Sequence, residues 1–146
     1  MSHARTQIQD EMVAALQVDV NLATVQAGRI WVYQPEELPI VGVYTNNESQ
    51  SLDDGSFDAI GRELELVCEC VAQASDGNSV ETILNNIAEQ IEQSLGDERN
   101  VLGILDCVPA EWVVEMSTEG DTVTGKAGLG FSVLYRTAIG SPETII

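Results

Sequence analysis

Basic side chains are scarce in this sequence. Six Lys and Arg stand against 24 Asp and Glu, leaving a formal net charge of −18 over 146 residues. Affinity for nucleic acid comes mainly from neutralising phosphates with Lys and Arg, so this balance argues against a phosphate-backbone binder, and DNA near such a surface is repelled. Histidine is nearly missing: His3 is the only one. It lies among the first few residues, where chains are usually mobile, so a His-based triad or acid–base pair has no anchor. No stretch approaches the roughly 20 apolar residues that cross a bilayer, and Met1 to Gln7 lacks the apolar run of a signal peptide. The expectation is a protein made in a cytoplasm, without a membrane partner. The three cysteines, Cys68, Cys70 and Cys107, have no metal-ligand spacing and read as small buried hydrophobes in a reducing compartment. Walker A and dinucleotide fingerprints are missing too, for Gly120, Gly125, Gly128 and Gly130 lie in a turn and a strand and do not open a helix. No catalytic residue, cofactor or metal is expected.

What the chain does have is core material: hydrophobic residues make up 44% of it, and the mean hydropathy is +0.01. At this length one domain, spanning 1–146, buries about two-thirds of its unfolded surface. Ile8, Met12, Ala15 and Leu16 form the stripe of an amphipathic helix from about Arg5 to Leu16. Gly28 to Tyr33 is β-branched and aromatic and reads as a strand halted at Pro35; Ile40 to Thr45, opened by Pro39, reads as its hairpin-like partner. From Asn46 to Ile60 the chain is polar and acidic, which predicts a long loop and makes Asp53, Asp54 and Phe57 candidate partner contacts. Arg62 to Ala72 alternates, with Leu64, Leu66, Cys68, Cys70 and Ala72 on one face and Glu63, Glu65 and Glu69 on the other, as in a half-buried antiparallel strand.

Asn78 with Glu81 predicts a capped helix start, followed by the stripe Val80, Ile83, Leu84, Ile87, Ile91 and Leu95 and a left-handed cap at Gly96. Val101 to Leu105 fits a strand or a turn of helix. A final hairpin pairs about Ala110–Thr118 with about Lys126–Thr137. The order predicts an α+β fold: a mixed, mainly antiparallel sheet of about five strands with two helices packed on one face. The tail 138–146 has no place in that core, and Ile139, Ile145 and Ile146 give it apolar handles that a neighbour could bury.

Paired carboxylates raise hydrolytic or cation-binding chemistry. Asp53 with Asp54, Glu36 with Glu37, and Glu63, Glu65 and Glu69 are the pairs and clusters in question. A chain with 24 acids shows such pairs by chance, and Asp53-Asp54-Gly55 lacks the further oxygen-ligand spacing of an EF-hand, so they read as a solvated acidic surface. Trp31, Trp112 and Phe131 read as core or interface residues.

The order and phrasing resemble one family. An N-terminal helix precedes Arg29-Ile30-Trp31-Val32-Tyr33 and Glu36-Glu37-Leu38-Pro39-Ile40-Val41-Gly42-Val43-Tyr44-Thr45. Then come Arg62-Glu63-Leu64-Glu65-Leu66-Val67, the capped helix, and Phe131-Ser132-Val133-Leu134-Tyr135-Arg136-Thr137. From about residue 5 to 138 this resembles the tail terminator proteins of long-tailed bacteriophages, the minor tail protein U-like family. The resemblance implies a virion protein assembled in the host cytoplasm: a ring, typically hexameric, that binds the end of the tail tube, stops its polymerisation and offers a surface to the head–tail connector. Its partners are then itself, the tube protein and the connector, while DNA passes through without specific binding. Six copies at −18 each carry roughly −108, which would keep passing DNA from the wall; Glu63, Glu65 and Glu69 are the candidate lumen-facing acids. A tail-completion or head–tail joining protein of the neck, and a small acidic hydrolase or cation-binding module, are the alternatives.

Overall fold

In the computed structural model, residues 2–52 and 58–146 are described. Helix α1, Ala4–Asp19, buries Ala4, Ile8, Met12, Val13 and Leu16 along one stripe. Val13, one turn after Gln9, takes the place expected for Ala15. The second helix, α2, runs Gly77–Asp97 and buries Val80, Leu84, Ile87, Ala88, Ile91 and Leu95. Asp76, not Asn78, caps it: the Asp76 carboxylate accepts from the Ser79 backbone N–H at 2.8 Å and from its hydroxyl at 2.9 Å. A charged acceptor at a helix N-terminus outcompetes the neutral amide two residues on. Gly96 lies inside the helix, and no left-handed cap ends it.

The strands are β1 (Thr24–Ala27), β2 (Ile40–Leu52), β3 (Ala59–Ala74), β4 (Asp106–Glu119), β5 (Thr122–Ala138) and β6 (Ser141–Ile145). They form one sheet in the order β1-β2-β3-β5-β4, with β6 beside the end of β5. Only β1 with β2 is parallel; the other ladders are antiparallel. The fold is therefore α+β with a mixed sheet. Alternation sends Val41, Val43, Leu64, Leu66, Cys68, Cys70, Leu129, Phe131 and Val133 to one face, where they share a single core with the stripes of both helices. At Gly125 a Cβ would lie 2.3 Å from Val80 Cγ1, so the glycine lets α2 close onto β5. Among the described residues, no helix is long and apolar enough to cross a membrane.

Several local expectations are overturned. Gly28–Tyr33 is not a strand. The chain pairs earlier, with Thr24 opposite Ile40, and Gly28 at φ +93° then turns it over the helix-free face. There Ile30 packs with Ile40 and Val71 in a small second cluster. Its β-branched, aromatic run serves this overlay and not a ladder. The expected loop 46–60 is largely a hairpin, because β2 continues to Leu52 and β3 begins at Ala59. Beyond Thr45 most of the β2 side chains are exposed, so this stretch carries no apolar period. Asp53, Asp54 and Phe57 lie outside the described residues. Val101–Gly103 is a short 3₁₀ turn. The tail does have a place: Gly140 at φ +83° reverses the chain and β6 pairs back onto β5, with Thr137 opposite Ile145. The Gln7 side chain donates to the Glu143 carbonyl at 2.7 Å, tying β6 to α1.

Candidate assembly interface

The β2–β3 ladder slips between Thr45 and Glu48. One extra residue there flips the alternation, so Glu48, not Asn47, stands opposite Leu64 on the helix-covered face. Its carboxylate accepts from Arg5 at 2.7 Å, Arg62 at 2.9 Å and Gln50 at 2.6 Å, and from the Tyr135 hydroxyl in a short hydrogen bond. Arg62 also donates to the buried Thr137 hydroxyl at 2.9 Å. Burial alone would raise the Glu48 carboxyl, but hydrogen bonds from Tyr135, Gln50 and Arg62 and the charge of Arg5 together hold it below its usual range. Burial, followed by the bond to Glu48 and its charge, pushes the Tyr135 phenol well up. The network ties the start of α1 to three strands. It is a structural clamp, with the Glu48 carboxylate held by four donors of the same chain.

On the opposite face, Glu63 is exposed while Glu65 and Glu69 are half-buried. Glu65 pairs across to Ser132, Val67 to Gly130 and Glu69 to Gly128, and Glu63 accepts from the Ser132 hydroxyl at 3.0 Å. With side chains missing at Gly128 and Gly130, Glu65 and Glu111 line a trough over the sheet, part of a cavity of about 300 Å³. Among the described residues, no three His, Cys, Asp or Glu side chains are grouped to hold a metal ion.

The apolar surface lies elsewhere. Trp31 and Val32 are 81% and 82% exposed, on the segment that Ile30 anchors. Arg29 of that segment stacks on Tyr44 at 4.0 Å from the ring centroid and bonds Asn46 at 3.3 Å. At the other end of the sheet, β4 is the terminal strand and leaves Trp112, Val113 and Met116 substantially exposed. A groove of about 740 Å³ separates it from α2, with Leu129 at its base. Of the tail residues, Ile145 packs against the core, whereas Ile139 and Ile146 are exposed. Of the aromatic residues weighed as core or interface, Phe131 is buried, Trp112 is partly covered and Trp31 stands out in solvent.

The cysteines and His3 have structural duties. Cys68, Cys70 and Cys107 are free and buried. Burial raises all three thiols, Cys68 well above its ordinary value, Cys70 to about 12 and Cys107 to about 11. A thiol so raised supplies no thiolate nucleophile near neutrality. His3 is the N-cap of α1, its Nδ1 accepting from the Arg5 backbone N–H at 3.1 Å. Slight burial, then the charges of Arg5 and Arg62, lowers its pKa. Sequence patterns missed the Glu48 clamp and the groove because neither has a local spacing; both arise from strand register. Compared with known proteins, the chain matches no family model and no curated protein.

Proposed function

We propose that this chain is a structural subunit that acts by self-association, and specifically a tail terminator of the kind its sequence resembles. In this reading copies close into a ring, six in the usual arrangement, on the end of a tail tube, halt its growth and present a face to the head–tail connector. The observation that carries it is the placement of apolar surface. Trp31 and Val32 stand exposed on the segment that overlies β2 and β3, while Trp112, Val113 and Met116 are exposed along terminal β4. Long, apolar, open strand edges are liabilities in a lone molecule and joints in an assembly. Two different complementary surfaces on each copy join head to tail, and such contacts close into a ring when the rotation per copy divides a full turn. The acids of the helix-free face, Glu63, Glu65 and Glu69, fit a lumen wall that repels DNA.

Native mass spectrometry and analytical ultracentrifugation, with and without tail tube protein, test the proposal. A defined ring alone or on tube ends is the expected outcome. A monomer that also ignores tube ends overturns it. Imaging the ring in a particle separates a terminator, which touches the tube, from a head–tail joining protein, which touches only the connector.

A further inference from the structure

We infer that Trp31 and Val32 of one copy seat in the groove between α2 and β4 of the next. This rests on the self-association reading and names its joint. The knob is held in place: Ile30 is buried against Ile40 and Val71, the Gly28 backbone N–H donates to Val43 at 2.7 Å, and Arg29 stacks on Tyr44. Two adjacent large apolar side chains, each more than four-fifths exposed, therefore project from an anchored segment and not from a loose one. The groove offers a matching surface. Leu129 and Ala88 form its apolar floor, Pro109 and Trp112 one wall, and Glu89 and Glu92 its acidic rim.

Charge selects the pairing. In a chain of net charge −18, Gly28 to Gln34 contains a single ionisable cation, Arg29, and no acid; Glu36 and Glu37 follow only after Pro35. This is a stretch able to approach Glu89 and Glu92 without repulsion, whereas the acidic helix-free face is not. Topology makes the partner a second copy. The knob's anchor, Ile30, rests on Ile40 of β2 and Val71 of β3 on the helix-free face, whereas the groove opens between α2 and β4 on the helix-covered side. Knob and groove thus lie on opposite faces of the sheet, so neither is satisfied within one molecule. Each copy then gives one knob and receives one, a head-to-tail contact that closes when the rotation per copy divides a full turn.

Paired cysteines test this directly, because the native thiols are buried. Oxidation of the double variant Val32→Cys/Gln93→Cys is expected to give a ladder of covalent oligomers on a denaturing gel, with each single variant remaining monomeric. Trp31→Ala, at a position 81% exposed, should fold normally by circular dichroism and associate at least about tenfold more weakly. Dimers from Val32→Cys alone would mean that knobs meet each other, and would overturn the inference. So would wild-type rings by native mass spectrometry combined with no ladder and an unchanged Trp31→Ala; self-association would then survive through another joint. A wild type that is monomeric with and without tube protein removes both.

Discussion

Glu48 and Arg62 form a 2.9 Å ion pair with side chains only 5% and 6% exposed, on strands whose register is broken by a bulge beside the acid. A buried pair of this kind is weak evidence of net stabilisation, yet removing one partner strands the other charge and typically costs about 3–5 kcal/mol. Glu48→Ala should therefore lower the urea midpoint steeply, while Glu48→Gln, which keeps shape and some hydrogen bonds, should cost less. The Glu48 carboxyl is held below its ordinary range. Its contribution is thus fully present above the unfolded value of about 4.3 and is lost as pH falls through the lower folded value. Urea titrations across that acid range should show a shallower pH dependence in Glu48→Gln than in wild type. Equal slopes would show that the acid limb belongs to other carboxylates.

The three thiols provide a probe of opening. Burial raises Cys70 and Cys107 to about 12 and 11, and holds Cys68 well above its ordinary value. A raised thiol stabilises the fold in its neutral form, so that contribution is complete below about pH 8.5 and fades as pH climbs through the folded values. Near neutrality, labelling by an aromatic disulfide reagent should be slow and should track denaturant-induced unfolding. Rapid labelling of one thiol would locate a local opening beside β3 or β4.

His3 caps α1 through a lone pair that its protonated form lacks. The folded pKa is depressed, so the cap contributes above the ordinary value of about 6.5 and is lost as pH falls through the lower folded one. His3→Ala should cost about 0.5–2 kcal/mol near pH 7.5. His3→Asn, which accepts at every pH, should restore most of that and abolish the pH dependence. A His3→Ala variant as stable as wild type would show that Arg5 and Glu48 alone fix this helix end.

How much of this was legible in the sequence follows from what each residue depends on. The stripe of α2 and the alternation of β3 and β5 depend on local period, and both emerge as expected. The polar run after Thr45 conceals a strand because most of its side chains are exposed, and exposed positions do not demand apolar residues. Glu48 was hidden by the bulge, which reverses the side it faces. Gly28–Tyr33 has the composition of a strand, but β1 already takes the outer edge of β2, and the segment is carried over the face of the sheet instead. Trp31 could be weighed as a core or interface residue, but its exposure follows from that displacement and is a property of topology. The groove depends on the distance between α2 and β4, elements that come together only through β5.

Gly42 connects backbone packing to the proposed joint. A Cβ there would lie 2.5 Å from the Gly28 carbonyl oxygen and 2.8 Å from Ile30 Cγ1. Gly42→Ala must push the overlying segment away, at a cost of roughly 1–3 kcal/mol for an overpacked site. Adding Ile30→Ala relieves the side-chain clash but not the backbone one, so the double variant should recover only part of the loss, a non-additive result measurable by urea denaturation. Because the main sheet and helices lie beneath, circular dichroism should remain native while Trp31 shifts position. Association by ultracentrifugation should then weaken even though no interface side chain has been truncated. If Gly42→Ala is destabilised as expected yet assembles like wild type, the placement of residues 28–33 is not what joins one copy to another.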